Sequence, residues 1–245
     1  MIKDFLDAAI DANKEIALLI EEKRDDFLCE AISLGAGGDI SRRVDLLAED
    51  IFIKHLSQFG DIYSEECGFL EGNGKFDIII DPIDGSNNFV SNFPYYGTSV
   101  AIKERGKYKA AVIANLANGD IFVKDETKFK KANLKSLIFK DVKKNRFSKI
   151  GIFEKSYCSK KIFKILKSSN IKFRSPGAFA LSLAYANDVD FVIYEGKLRL
   201  YDIAAGFYMC EDLYLFNEED VLLISKDKVI FDKISQLFKK GEEKA

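Results

Sequence analysis

Apolar and polar positions along this chain follow two periods, and the change from one to the other divides it. MIKDFLDAAIDANKEIALLIEEK sets apolar residues at helical spacing with charges between them, which predicts an amphipathic helix at the start. The Gly-rich stretch GAGGD reads as a mobile loop leading to a second helical run, VDLLAEDIFIKHLSQF. From there to about Ile138 short apolar runs predict a series of strands. In one of them Phe76, Ile78, Ile79 and Ile80 form a buried strand, and Pro82, which has no amide hydrogen to give to a ladder, predicts its end at Asp81. The second part alternates more regularly: KIGIF as strand, KKIFKILKSS as helix, IKFR as strand, ALSLAYA as helix, VDFVIY as strand, then a helix after Asp202 and a short tail. A strand-rich half followed by an alternating half predicts two layered α/β halves, 1–140 and 141–245, packed as one unit with a site between them.

Composition narrows the partners. With 245 residues the chain has ample length for a core, and its net charge of −2 gives no reason to expect nucleic acid. The basic stretches KFKKANLK and DVKKNR are interrupted by apolar residues at strand-like intervals and read as solvated edges. No apolar run approaches the ~18 residues that span a bilayer, and the first helix does not read as a signal peptide, so no membrane is expected and the cytoplasm is the expected compartment. Cys29, Cys67, Cys158 and Cys210 are scattered without CxxC spacing and should be reduced. His55, the single histidine, lies in a helical run and is expected on its exposed face, which argues against a histidine nucleophile. No cysteine is followed by Arg at the spacing of cysteine-dependent phosphatases, which leaves water as the nucleophile for any phosphate chemistry.

The candidate chemistry concentrates in FDIIIDPIDGSNNF, Phe76 to Phe89, where an apolar strand runs into Asp81 and Asp84 and then into a Gly-Ser turn. Strand ends followed by turns rich in N–H groups are where α/β proteins place anionic ligands. Acids beside an anion need a cation between them, and hard oxygen ligands next to phosphate suit Mg²⁺. By itself DPIDG is equally a pair of ordinary turn dipeptides. Three further acidic positions accompany it: Asp45 in GGDISRRVDLLAED, the pair Glu65 and Glu66 in DIYSEECG, and Asp202 in LRLYDIAAG. Each also has a plain structural reading, Asp202 as a helix N-cap, Asp45 as a first-turn acid, and Glu65 and Glu66 as solvated loop charges. GAGGD matches neither a dinucleotide fingerprint nor a Walker loop, and GNGK lacks the following Ser or Thr. The haloacid dehalogenase motif DxDGT sets its acids two apart, whereas Asp81 and Asp84 are three apart and far from the N-terminus.

Taken in order, the four segments resemble the inositol monophosphatase family of Mg²⁺-dependent, lithium-sensitive phosphatases, whose signature DP(I/L/V)DG(S/T)xNF is preceded by a Glu-Glu pair and followed by WDxAxG. The match runs from about Asp39 to Gly206. The resemblance implies a five-layered αβαβα sandwich, a homodimer, and a phosphomonoesterase that hydrolyses inositol monophosphate or a related small polyol or sugar phosphate with metal-activated water. Carried over by position, it implies that Glu65, Asp81 and the carbonyl of Ile83 hold a first Mg²⁺, that Asp81, Asp84 and Asp202 hold a second, and that a third, weaker ion arrives with substrate. The four carboxylates then balance the charge of two Mg²⁺, and without metal at least one of them should show a raised pKa. The family pattern also has Glu65 and the Ser86 hydroxyl orient the attacking water, with Asp45 accepting from Ser86 and the N–H groups of Gly85 and Ser86 receiving phosphate oxygens. It further has Asp84 help a second metal-bound water protonate the departing alkoxide, and counts Asp84 and Asp202 among the substrate-binding residues.

On the leaving-group side, RSPGAFALSLAY resembles the family segment RxxGxAA, placing Gly177, Ala178 and Phe179 near the ring, with Phe179 narrowing the pocket. Glu195, seven positions before Asp202, either accepts from polyol hydroxyls or is a surface turn acid. Tyr201 replaces the usual Trp and the expected EAGG segment is missing, differences that bear on substrate range and dimer contacts. Fructose 1,6-bisphosphate and 3′-phosphoadenosine 5′-phosphate are alternative substrates, the nucleotide less favoured because NNF follows the inositol branch. A binding module that had lost catalysis should also have lost a ligand, yet Asp45, Glu65, Asp81, Asp84 and Asp202 are all present.

Overall fold

Strands with apolar residues on both faces need a covering layer on each side, and this requirement stacks the chain into alternating helical and sheet layers. The computed structural model describes residues 1–23, 26–218 and 220–242. In chain order the elements are α1 (Ile2–Lys23), α2 (Asp26–Cys29), β1 (Ala31–Leu34), β2 (Ile40–Arg42), α3 (Arg43–Leu56), β3 (Gly60–Ser64), β4 (Gly68–Leu70), β5 (Phe76–Asp84), α4 (Ser86–Val90), β6 (Gly97–Glu104), β7 (Lys107–Asn115), β8 (Asp120–Asp125), β9 (Phe129–Asn133) and β10 (Lys140–Asp141). There follow β11 (Gly151–Glu154), α5 (Lys161–Ser168), β12 (Phe173–Arg174), α6 (Phe179–Ala184), β13 (Val192–Glu195), α7 (Leu200–Met209), β14 (Tyr214–Glu218), β15 (Val221–Ser225) and α8 (Lys228–Glu242).

An eight-stranded sheet, ordered β10-β9-β8-β7-β6-β5-β3-β4, is antiparallel except where β3 runs parallel to β5. A five-stranded sheet, ordered β12-β11-β13-β15-β14, takes up the rest. Side-chain alternation then sorts each strand between two cores. Ile78 and Ile80 of β5 pack with α1 and α3, whereas Ile79 between them packs with Ala180, Leu181, Ala204 and Ala205 of α6 and α7. On the second sheet, Leu222 and Ile224 face α6 and α7, and Leu223 faces Ile162 of α5 and Ile234 of α8. Four cores between five layers make the αβαβα sandwich.

Several local expectations need correction. β5 does not stop at Asp81: it continues through Pro82 to Asp84, because the pairing with β6 slips between Asp81 and Asp84 and the bulge absorbs the residue that cannot donate. The short tail is in fact β14, β15 and α8; β15 pairs antiparallel with β13, and α8 covers the outer face of that sheet with Ile234 and Phe238. KFKKANLK is not an edge, since β9 pairs with both β8 and β10. IKFR reduces to the two-residue β12. GAGGD forms the turn of the β1–β2 hairpin and is docked, with the Ala36 and Gly37 amides donating to the carbonyls of Glu66 and Glu65 at 2.9 and 2.7 Å. His55 is half-buried, its Nε2 2.8 Å from Glu15 Oε2. All four cysteines carry free thiols.

Candidate active site

Three elements deliver acids to one point. β3 lies parallel to β5 with Ser64 paired to Ile80, so the residue that follows β3, Glu65, comes out beside Asp81, where the β5 bulge begins. Asp202 reaches the same place from the first turn of α7, whose N-cap is Arg199, so Asp202 is inside the helix and not its cap. Glu65, Asp81 and Asp202 each offer a carboxylate oxygen within 4.8 Å of the others, and all three are buried. Asp84, the last residue of β5, is also buried; its Oδ2 accepts from the Leu181 amide at 2.8 Å, which ties it to α6. The next residue turns the chain: Gly85 has φ 86°, and a Cβ there would lie 2.9 Å from Ala178 Cβ and 3.1 Å from the Tyr95 carbonyl. Only glycine fits that left-handed corner.

The cluster is electrostatically unbalanced. Burial, then Glu65 and Asp84, push the Asp81 pKa well up, and no described residue donates a hydrogen bond to its side chain. Burial raises Asp84 likewise, with Asp202 and Glu154 adding to it against the Leu181 hydrogen bond. Glu65 is pushed up to about 7 by burial and by the charges of Asp202 and Glu66, against the opposing Arg199. Asp45 is raised to about 7, mainly by burial, with Glu66 and Glu65 contributing. One cation enters the group: Arg199 Nη1 lies 2.6 Å from Asp39 and 2.8 Å from Glu65, and its Nε lies 3.0 Å from Asp202. A single guanidinium leaves most of the negative charge uncompensated.

The surrounding cavity of about 520 Å³ is lined by Ile83, Asp84, Gly85, Ser86, Gly177 and Phe179 among others, and by Glu65, Asp81 and Asp202. Asp45 sits apart from that lining. Its Oδ2 accepts from the Arg42 amide at 2.6 Å, closing the first turn of α3, while its Oδ1 is buried without a partner; no hydrogen bond joins it to Ser86 among the described residues. Ala178 is buried behind Gly85. Glu195 ends β13 paired to Val221 and does not line the cavity; Tyr194, one residue earlier, does, because alternation along the strand sends neighbours to opposite faces. Residues that motif matching passed over are Arg199, Asp39, Glu154 and Lys155. Arg199 stands three positions before Asp202, the spacing of a first-turn ion pair, and Glu154 closes the apolar run of β11 as Asp84 closes β5, so both carried a local signal. A larger hollow of about 850 Å³ between α1 and the β7–β8 turn gathers no comparable acids.

Whether a metal fits can be asked of the donors themselves. Buried, oxygen-only, converging and short of hydrogen-bond donors, the group has the chemistry of a hard-cation site. The model of the inositol monophosphatase family matches residues 1–213. The chain belongs to the inositol monophosphatase family. Members of that family are metal-dependent phosphoric monoester hydrolases, and the acid cluster is of a kind that can hold a metal. Among similar proteins, the bifunctional NADP phosphatase/NAD kinase of Methanococcus maripaludis is 28% identical over 242 residues, covering 86% of this chain but 42% of that longer protein. The fructose-1,6-bisphosphatase/inositol-1-monophosphatase of Methanothermobacter thermautotrophicus is 31% identical over 205 residues, 75% of this chain and 72% of that one. The crystal structure of the extragenic suppressor protein suhB from Bartonella henselae superposes with a TM-score of 0.79 at 20% identity, covering 97% of this chain and 99% of that one, which establishes the inositol monophosphatase fold.

Proposed function

We propose that this chain hydrolyses the phosphate monoester of a small polyol or sugar, inositol monophosphate or a relative of it, with Mg²⁺ as the metal. The observation that carries this reading is the convergence of Glu65, Asp81 and Asp202 within 4.8 Å beside the Gly85–Ser86 corner. Glu65, Asp81 and the Ile83 carbonyl would hold one ion, and Asp81, Asp84 and Asp202 another, with a third, weaker ion joining substrate. When bound, such cations supply neutralisation of the phosphate charge and polarisation of water and of the departing oxygen.

The chain's own groups do the rest. Glu65, ionised once it holds the metal, orients the attacking water together with Ser86. The Gly85 and Ser86 amides hold phosphate oxygens, and the Ser86 hydroxyl helps to place the water. Asp45 retains one buried, unpartnered oxygen, which this reading assigns as the acceptor for Ser86 once substrate is seated. Gly177 and Phe179 wall the leaving-group side, with Ala178 buried behind them, and we assign sugar recognition to that wall in preference to Glu195. Residues 1–140 bring most of the metal ligands and 141–245 bring Asp202 and the wall. Lithium inhibition and a homodimer are proposed on family resemblance, and a cytoplasmic compartment on the free thiols. No helix among the described residues is long and apolar enough to cross a membrane.

A nucleotide phosphate is the second reading, favoured by the aromatic pair Phe179 and Tyr194, stacked at 4.5 Å in the cavity wall. The test is phosphate release from inositol 1-phosphate, fructose 1,6-bisphosphate and NADP, with and without Mg²⁺ and Li⁺. Mg²⁺-dependent, Li⁺-sensitive release is expected; release that ignores both ions would end the proposal.

A further inference from the structure

Three cationic side chains line the acid-rich cavity, Arg42, Lys155 and Arg199. Arg199 pairs with Asp39, Glu65 and Asp202, whereas Arg42 is turned toward β1 and α2, its Nη1 donating to the Cys29 carbonyl at 3.2 Å. Lys155 stands on the opposite chain half, against Tyr194. Its described hydrogen bond goes to a neutral group, the Tyr194 hydroxyl, at 3.3 Å, and it makes no ion pair with any described residue although carboxylates line the same cavity. Burial works against its charge, but Tyr194 and Asp202 more than offset this and hold its pKa above the ordinary lysine value, so the ammonium persists.

The backbone holds Lys155 in this position against preference. With φ 51° and ψ 32° it occupies the left-handed region that side chains bearing a Cβ disfavour. Both neighbours are pinned: buried Glu154 accepts from the Gly177 amide at 2.8 Å, and the Ser156 amide donates to Ser175 Oγ at 3.3 Å. A chain of contacts joins Lys155 to the acids. Asp84 is tied to the Leu181 amide of α6, Phe179 of the same helix stacks on Tyr194, and the Tyr194 hydroxyl meets Lys155. A phosphate seated at the acids would therefore have Phe179, Tyr194 and the Lys155 ammonium available to its alcohol, since all three line the same cavity.

We propose that Lys155 is the specificity-determining residue of the leaving-group side, selecting phosphate esters whose alcohol carries a second anionic group. This rests on the phosphatase reading above for the position of the first phosphate. A sugar bisphosphate and a phosphorylated dinucleotide share the required chemistry, and the substrates tested separate them.

Steady-state kinetics of the Mg²⁺-loaded protein and its Lys155→Met, Lys155→Arg and Lys155→Gly variants read the inference. For fructose 1,6-bisphosphate or NADP, whichever is the better substrate, KM relative to that for inositol 1-phosphate should rise about ten-fold in Lys155→Met, the scale of one hydrogen bond to a charged group. Lys155→Arg should keep the wild-type ratio. Lys155→Gly should lose discrimination as Lys155→Met does while melting at a higher temperature, because the left-handed strain is relieved. An equal rise in KM for all three esters would overturn the proposal by placing Lys155 on the reacting phosphate, and so would no rise for any. Calorimetric binding of the same three compounds to wild type and Lys155→Met reads the contact without turnover. Should no ester be cleaved, the phosphatase reading fails alone if binding of a bis-anionic compound still weakens about ten-fold, and both fail if affinities are unchanged.

Discussion

Asp84 and Asp120 stand at the same edge of the eight-stranded sheet, yet their surroundings have opposite character. Asp84 pairs across to Gly97, Gly97 pairs to Asn115, and Asp120 opens the strand alongside, one residue before Ile121, which pairs with Ala114. Around Asp120 donors and a cation converge on one carboxylate oxygen. Its Oδ2 takes the Tyr185 hydroxyl at 2.6 Å and the Lys131 ammonium at 2.8 Å, Asn118 donates to that hydroxyl at 3.1 Å, and Lys131 sits over the rings of Phe122 and Tyr185. Around Asp84 the neighbours are Asp81, Asp202 and Glu154, and burial pushes its pKa upward. An acid supplied with donors helps to hold a fold together, whereas buried acids left with one another are stable only when something else brings positive charge. The two regions differ in their partners and also in depth, Asp84 being buried and Asp120 only partly so.

The largest expected effect breaks the unbalanced region. Asp81→Asn should lower Mg²⁺-dependent phosphate release by about 10³-fold or more while raising the melting temperature of the metal-free protein by several degrees, since it removes one of several like charges. Melting curves and phosphate assays of the same preparation check both halves; a variant both inactive and less stable would mean that Asp81 serves the fold.

A smaller effect follows from pH. Asp45 and Glu65 have pKa values near 7 in the metal-free fold, above their ordinary 3.8 and 4.5. Acids raised on folding contribute stability that is fully present below the unfolded pKa and lost as pH rises through the folded one. Thermal melts in chelator should therefore fall by about 5 °C or more between roughly pH 4 and pH 7.5, and Mg²⁺ should restore most of the loss at the upper end. A flat profile would contradict the raised values.

The balanced region should respond in the opposite way. Tyr185→Phe removes a donor from Asp120 and should cost about 1 kcal/mol of stability, measurable in urea, with Mg²⁺ binding left as it was. The smallest effect belongs to Glu195→Gln: its side chain lies outside the cavity lining, so KM for inositol 1-phosphate should stay within about two-fold.

These contrasts also mark what could be read from the chain. The unbroken run Ile78 to Ile80 announced a strand buried on both faces, and the order of DIYSEECG, DPIDGSNNF and LRLYDIAAG announced the acids, because both are local patterns. Pro82 is a non-donor, as its chemistry requires, but not a terminus, since a bulge depends on the partner strand β6, which the local pattern does not specify. VLLIS is too short to separate strand from tail until β13 presents an edge for it. The i,i+3 spacing of Arg199 and Asp202 was a local signal, but the pairing of Arg199 with Glu65 and the setting of Lys155 beside Tyr194 depend on contacts distant in sequence.

The central claim is that Glu65, Asp81, Asp84 and Asp202 form a group completed by divalent cations. Calorimetric titration of Mg²⁺ into the metal-free protein at pH 7, repeated in buffers of different ionisation enthalpy, tests it most directly. The account predicts saturable binding accompanied by proton release, because acids held up near 7 must ionise to become ligands. Absence of saturable binding in the millimolar range, or binding with no proton released, would contradict it.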